Sequence, residues 1–148
     1  NYIHEITRLG MLEVYVGTRP QTNAFLRSQI SMETAMTFTI ASGISGFEAE
    51  IREKHSYLAF QQPDRVADAI RLFSNIELWS QVAIRLTLPA NDVKSKLQLI
   101  IDRRNKIAHE ADLDPSFPGT RWPISVSDVV STIDFIDAVC EAIHSLVV

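Results

Sequence analysis

Apolar residues recur at three- and four-residue intervals along most of the chain, a spacing typical of helices that bury one face. We find no segment with the strict alternation of apolar and polar residues that predicts a β-hairpin. The clearest stripe consists of Met36, Ile40, Ile44, Phe47, Ile51 and Leu58. The pattern therefore predicts an all-α fold.

Proline and glycine residues divide the first half of the chain into predicted helices. Gly10 and Gly17 weaken the helical pattern of the first twenty residues, and Pro20 closes that segment. A short helix is predicted over residues 22–30. Pro63 stands at a favourable first helical position, and the apolar face that follows it runs to Leu88, with a break expected near residues 74–75.

Two longer helices are predicted in the second half of the chain. Asn91 is a suitable N-cap for the first, whose predicted buried stripe comprises Val93, Leu97, Ile100, Ile101 and Ile107. Prolines and a glycine between residues 111 and 123 predict a loop. Ser127 is the predicted N-cap of the last helix, whose predicted core face comprises Val129, Val130, Ile133, Ile136, Val139, Cys140, Ile143, Leu146 and Val147. About five helices with short connections predict an up-and-down helical bundle.

The composition is that of a globular intracellular domain. With 148 residues, of which 46% are hydrophobic and 22% charged, the chain can form one domain with a full core. Cys140 is the single cysteine, so an internal disulfide is excluded and a reducing compartment, the cytoplasm, is expected. The first ten residues lack a signal-peptide pattern, and no apolar run reaches the roughly 18 residues of a membrane span. Because the sequence starts with Asn rather than Met, we expect it to belong to a longer protein.

Charge is distributed unevenly along the chain. The formal net charge of −4 argues against a surface that binds nucleic acid indiscriminately. Between positions 94 and 106, however, one acid, Asp102, is accompanied by Lys94, Lys96, Arg103, Arg104 and Lys106. This stretch is interpreted either as a local positive site or as an ordinary solvated helix face.

Residue types and their spacings exclude several kinds of catalytic site. The four histidines and one cysteine show no metal-ligand spacing, so neither a metal nor a cofactor is expected. The sequence contains neither a glycine-rich phosphate loop nor a serine or cysteine nucleophile elbow. The remaining catalytic candidates are Arg104, Asn105 and His109, which stand at the end of an amphipathic helix and before a proline-rich loop.

The segment Arg-Asn-Lys-Ile-Ala-His at residues 104–109 resembles the R-x4-H motif of the HEPN superfamily. The polar residue after the arginine, the position late in the domain and the long final helix also match that family's pattern. The resemblance covers most of residues 31–148 and leaves residues 1–30 as an N-terminal helical extension. It implies an all-helical domain, a homodimer that joins two motifs in one cleft and, in many members, metal-independent ribonuclease activity. Such domains occur in toxin–antitoxin, CRISPR-associated and phage-defence systems and in RNA-processing enzymes.

The three motif residues suit RNA cleavage. RNA carries its own nucleophile, the 2′-OH, so cleavage requires proton transfer and stabilisation of an anionic phosphorane. Histidine has an ordinary pKa of about 6.5 and exchanges protons near neutrality, a role assigned to His109. Arg104 can direct two donors at phosphate oxygens, and Asn105 would orient the imidazole or donate to the phosphate. The expected products carry a 2′,3′-cyclic phosphate and a 5′-OH.

The spacing of the motif raises a geometric question. On an ideal helix Arg104 and His109 lie about 140° apart, whereas Asn105 and His109 share a face. Three explanations remain open: the helix ends or bends before His109, the arginine reaches around it, or a second subunit supplies the arginine. A two-fold axis brings the same patch of both subunits together, so a homodimer is expected.

Residues near the motif are weaker candidates for binding RNA. Arg103 is either an RNA contact or a surface charge, and Lys106 is either an RNA contact or an i,i+4 partner of Glu110. Arg121 and Trp122, in the loop after the motif, either bind phosphate and stack a base or only anchor the loop.

Ordinary structural roles also explain some of these residues. Arg104 and His109 at a polar helix end would bind the last carbonyl groups and favour the helix dipole. Glu48 either contacts the motif and supports it or only pairs with Arg52, four residues later.

Three hypotheses for function follow. The leading one is a metal-independent endoribonuclease that acts as a homodimer and serves as a toxin-like or phage-defence effector, with RNA as substrate and an antitoxin or a further domain of the same chain as its expected partner. The second is a catalytically silent module of the HEPN type that binds RNA or nucleotide or only dimerises. The third is an unrelated helical adaptor in which the motif is a coincidence.

Overall fold

The computed structural model describes residues 2–37, 43–109 and 112–148. These residues form helices and isolated turns without a β-strand, so the predicted all-α fold is confirmed. The only bridge of the β type that they contain joins Leu113 to Arg121. The helices are α1 (Tyr2–Val16), α2 (Asn23–Leu26), α3 (Met32–Thr37), α4 (Ile44–Ser56), α5 (Pro63–Arg71), α6 (Leu78–Leu86), α7 (Ala90–His109) and α8 (Val126–Val147).

The predicted number of about five helices is wrong, because the described part of the chain contains eight. The first segment forms the full helix α1 in spite of Gly10, and α3 is an additional short helix. The helix predicted over residues 22–30 is present as α2 but has only 4 residues. Pro63 begins α5 as predicted, and the expected break near residues 74–75 separates α5 from α6. Ile40, a member of the predicted stripe, lies outside the described residues.

The chain divides into two compact units, an N-terminal unit of residues Asn1–Ile76 and a C-terminal unit of residues Glu77–Val148. In the N-terminal unit, α1 packs against α4 and α5, and α3 packs against α4. Met11, Phe47 and Ile51 form a buried cluster between these helices. The predicted boundary between an extension at residues 1–30 and the rest of the chain stays a prediction.

In the C-terminal unit, α6 packs against both α7 and α8. Its buried side chains are Leu78, Trp79, Val82 and Ala83 of α6, Val93 of α7, and Phe135, Val139, Ala142, Ile143 and Val147 of α8. The Lys96 ammonium stands 4.3 Å from the centre of the Phe135 ring, a cation–π contact between α7 and α8. The core of this unit is therefore formed by α6, the start of α7 and the part of α8 from Phe135 onwards.

The predicted core faces of α7 and α8 are partly wrong. Val129, Val130, Ile133 and Ile136, at the start of α8, are 37–51% exposed. Ile107, at the end of the predicted α7 stripe, is 47% exposed. Helical periodicity correctly identified an apolar face on each helix, but no other described part of the C-terminal unit covers these ends of it.

The start of α8 is capped two residues earlier than predicted. Ser125, not Ser127, is the N-cap: its hydroxyl accepts a hydrogen bond from the Asp128 amide, and the Asp128 carboxylate accepts one from the Ser125 amide. Because Asp128 then occupies the third helical position, the two residues form a reciprocal capping box.

None of the described helices combines the length and the apolar character that a membrane span requires.

Candidate functional site

The motif residues lie on the last turns of α7, which continues through His109. Arg104 and His109 are exposed, and Asn105 is half-buried. Because the helix does not end before His109, the explanation that an early helix end brings Arg104 and His109 together is wrong. Three explanations remain: a bend of the helix before His109, an arginine that reaches around the helix, or an arginine from a second subunit.

Within one chain the structure joins Arg104 to Asn105 but not to His109. Nη1 of Arg104 donates a hydrogen bond of 3.0 Å to the amide oxygen of Asn105. Among the residues that the structure describes, none forms a hydrogen bond or an ion pair with the imidazole of His109. The imidazole is therefore open to a substrate or to a second chain.

A groove of about 430 Å³ lies beside Arg104, between α7 and the start of α8. Its lining is mostly apolar and consists of Lys96, Leu99, Ile100, Arg103, Arg104, Ile107, Pro123, Ile124, Asp128, Val129, Thr132 and Ile133. Leu99 is 68% exposed, Ile124 54% and Ile133 51%. A contiguous exposed apolar surface of this kind is typical of an interaction site.

One acidic group, Asp128, belongs to the lining of this groove. Hydrogen bonds from the Ser125 hydroxyl and amide, assisted by the charge of Arg103, hold the pKa of Asp128 below its ordinary value. The carboxylate therefore remains charged near neutral pH, so the groove presents charges of both signs around an apolar centre.

Arg103 is part of an ion pair that the sequence analysis did not identify. Its Nη2 lies 2.6 Å from a carboxylate oxygen of Asp112, whose side chain is only 6% exposed. The same nitrogen donates to the backbone oxygens of Trp122 at 3.3 Å and Pro123 at 3.5 Å. The left-handed backbone at Asp112 suits an aspartate, but no pattern in the sequence indicated that its carboxylate pairs with Arg103.

The other candidates for RNA binding surround the end of α7. Lys106 is exposed, and its predicted partner Glu110 lies outside the described residues. Arg121 is exposed and takes part in the bridge to Leu113, and Trp122 is 37% exposed. Their side chains are accessible to a ligand.

Glu48 belongs to α4 in the N-terminal unit, and its described partners are two arginines of that unit. One of its carboxylate oxygens lies 2.6 Å from Nη1 of Arg8 and 2.9 Å from Nη2 of Arg52. The predicted pair with Arg52 is therefore present, and Arg8 is an additional partner from α1.

Comparison with known proteins identifies the family of the chain. A model of the RiboL-PSP-HEPN family matches residues 2–148. The chain belongs to this family. No curated protein and no solved structure matches it. Membership in the RiboL-PSP-HEPN family confirms the resemblance drawn from residues 104–109 and excludes an unrelated helical adaptor.

Proposed function

We propose that this RiboL-PSP-HEPN domain is a metal-independent endoribonuclease that acts as a homodimer. The observation that carries the proposal is the Arg104–Asn105–His109 motif, whose Arg104 and His109 are exposed, beside a mostly apolar groove. Family membership supports a ribonuclease-like or nucleotide-binding module, and the residue types of the motif favour the first of these.

A second copy of the chain is the proposed occupant of the apolar face. The groove and the adjoining start of α8 expose Leu99, Ile107, Ile124, Val126, Val129, Val130 and Ile133. A two-fold axis at this face places identical patches against each other and buries these side chains. It also brings Arg104 of one copy towards His109 of the other, which overcomes their separation around a single helix.

The proposed reaction uses the RNA's own 2′-OH as nucleophile. His109 of one copy accepts the 2′-OH proton while the 2′ oxygen bonds to the adjacent phosphorus. The bond from phosphorus to the 5′ oxygen breaks, and the protonated His109 of the other copy gives its proton to that oxygen. Arg104 donates to the phosphate oxygens, whose negative charge increases in the transition state. The products are a 2′,3′-cyclic phosphate and a 5′-OH end.

Asn105 is proposed to act through Arg104. Its amide oxygen accepts a hydrogen bond from the guanidinium, which fixes one edge of the arginine and leaves its remaining donors for phosphate. The accessible Lys106, Arg121 and Trp122 are proposed to bind the RNA strand beside the scissile bond. The net charge of −4 confines this attraction to the end of α7.

A toxin-like or phage-defence effector in the cytoplasm is the proposed biological role. A small ribonuclease without an obligatory cofactor must be restrained until it is needed, which requires a neutralising partner or a further domain of the same chain. The exposed motif and groove are accessible to such a partner.

The decisive experiment is incubation of the purified chain with labelled RNA in excess EDTA. We expect cleavage by the wild type and a loss of about a hundredfold or more in Arg104→Ala and in His109→Ala. Arg85→Ala and His144→Ala are matched controls, because they change the same residue types on exposed positions of the C-terminal unit. An oligomer with 2′-deoxyribose throughout must resist cleavage.

The outcomes separate the alternatives. Cleavage by the wild type and both controls, with cyclic-phosphate ends and with the expected loss in Arg104→Ala and His109→Ala, supports the proposal. Equal cleavage by all variants indicates a contaminating nuclease and removes the motif as the active site.

The second candidate function is a silent HEPN module that binds RNA or nucleotide, or only dimerises. The absence of a described contact between Arg104 and His109 within one chain favours it. RNA binding without cleavage, unchanged by His109→Ala, would support this alternative and contradict the nuclease.

A further inference from the structure

Asp112 terminates the helix that carries the motif. Its amide donates a hydrogen bond of 3.1 Å to the carbonyl of Lys106, and its φ of 55° turns the chain away from the helix axis. Asp112 itself is only 5% exposed, so the residue that makes this turn is buried. The position of the last helical turn, which includes His109, therefore depends on Asp112.

The side chain of Asp112 is bound by Arg103, which stands one residue before the motif. Nη2 of Arg103 connects the carboxylate of Asp112 with the backbone oxygens of Trp122 and Pro123. The carbonyl of Asp112 in turn accepts a hydrogen bond of 3.0 Å from the Trp122 amide. One guanidinium thus links α7, its terminating turn and the far end of the following loop.

These contacts enclose the motif and shape the neighbouring groove. Residues 104–109 lie between the two partners of the Arg103–Asp112 pair in the chain, so the pair fixes both ends of the motif segment. Pro123 and Ile124 form one wall of the groove that Arg104 lines. The Arg103 bonds to Trp122 and Pro123 hold that wall against α7.

Arg103 is poorly suited to bind RNA directly. Its side chain is only 35% exposed, whereas Arg104 and Lys106 are exposed residues. Its charge is already neutralised by the buried carboxylate of Asp112. Its bonds to the carboxylate and to the two carbonyls all use Nη2, and Nε is buried without a hydrogen-bond partner, so only Nη1 is left for phosphate.

We propose that Arg103 and Asp112 are a positioning pair, which sets the end of α7 and the groove wall so that Arg104 and His109 meet the substrate in the correct geometry. The catalytic part of this proposal rests on the proposed ribonuclease function. Of the two arginines that precede His109, Arg104 is then the one that contacts phosphate, and Arg103 acts through Asp112 and the loop.

Three variants of the full chain test the pair: Arg103→Gln, Asp112→Asn and the double variant, with Arg85→Gln as control. Asn tolerates a left-handed φ as Asp does, so Asp112→Asn removes the charge and preserves the backbone conformation. Arg85 is an exposed arginine of the same unit whose described bond, to the Ser145 carbonyl, is 3.5 Å long.

Amide hydrogen exchange measures the positioning without RNA. We expect the amides of Asp112 and Trp122 to exchange about tenfold faster in each single variant, with little further change in the double variant, because both substitutions break the same contact. Unchanged exchange in both single variants would overturn the proposal, whether or not the protein cleaves RNA.

RNA cleavage measures the consequence for catalysis. We expect kcat to fall by about tenfold to a hundredfold in both single variants with KM within about twofold of the wild type. An RNA contact by Arg103 predicts a different result: KM rises in Arg103→Gln, while Asp112→Asn, which removes a negative charge, binds RNA as well or better. That result would also overturn the proposal. A wild type that cleaves no RNA contradicts the proposed function, and the exchange measurement then decides on the pair by itself.

Discussion

Gly10 lies in the middle of α1, where the ring of Phe73 covers it. A Cβ built on Gly10 overlaps Cγ and Cδ2 of Phe73, and Phe73 is only 2% exposed. The glycine thus allows the buried ring to approach the helix backbone. This close approach outweighs the cost of about 1 kcal/mol that a glycine brings to a helix interior.

Replacement of Gly10 by alanine tests this contact at the scale of one methyl group. We expect Gly10→Ala to lower the free energy of unfolding by about 1–3 kcal/mol, because the buried ring cannot move away without a loss of packing. Urea denaturation followed by circular dichroism measures the change. On a Phe73→Leu background the same substitution should cost less. An alanine variant that is more stable than the wild type would show that the ring does not restrict this position.

At the scale of helices, Glu50 joins α4 to the start of α3. Its buried carboxylate accepts hydrogen bonds from the Ser31 amide at 2.8 Å, the Ser31 hydroxyl at 2.9 Å and the Thr34 hydroxyl at 2.5 Å. Nζ of Lys54, one turn later on α4, lies 3.0 Å from Oε1 of Glu50. The hydrogen bond from Thr34 and the contact with Lys54, together with the bonds from Ser31, lower the pKa of Glu50 to about 2.

This pKa predicts how acid affects the N-terminal unit. Because the pKa of Glu50 is lower in the folded chain than the ordinary 4.5, its ionised form stabilises the fold above about pH 4.5. That contribution is lost as the pH falls from 4.5 towards about 2. We expect Glu50→Gln to destabilise the chain by about 1–3 kcal/mol near neutral pH, and by less as the pH falls through this window.

Urea denaturation at several pH values measures the effect, and Glu53→Gln is the matched control. Glu53 stands on the same helix, but its side chain is exposed. Equal effects of the two substitutions, or a Glu50→Gln effect that does not change with pH, would contradict the assigned role of Glu50.

At the scale of the whole molecule, the apolar surface around the groove stays exposed to solvent in the C-terminal unit of a single chain. Ile133 of α8 lines the groove and is 51% exposed. Ile84 of α6 is 70% exposed and does not belong to the groove lining. The two isoleucines therefore distinguish a specific interface from a general effect of exposed apolar area.

We expect Ile133→Glu to convert a dimer into a monomer and to abolish RNA cleavage, because a buried carboxylate at the interface has no partner. Sedimentation at micromolar protein measures the oligomeric state, and Ile84→Glu should remain a dimer. A wild type that sediments as a monomer, or an Ile133→Glu variant that remains a dimer, would contradict the proposed interface.

Residue types and local periodicity were sufficient for much of this description. The three-to-four-residue spacing predicted the all-α fold, Pro63 marked the start of α5, and the segment at residues 104–109 led to the correct family. Each of these features depends on neighbours within a few residues, and such local preferences can be derived from sequence.

Contacts between distant residues were decided only by the tertiary structure. The predicted apolar face of α8 begins at Val129, yet the first buried residue of the helix is Phe135. Gly10 weakened the prediction of a first helix, and only the structure shows that the Phe73 ring requires a glycine there. The pairing of Arg103 with Asp112 likewise depends on how the chain turns after α7. The sequence by itself determined the helices and the reactive residue types, because periodicity records which faces are apolar. It did not determine what covers each face or which charges meet, because those depend on the positions of elements far apart in the chain.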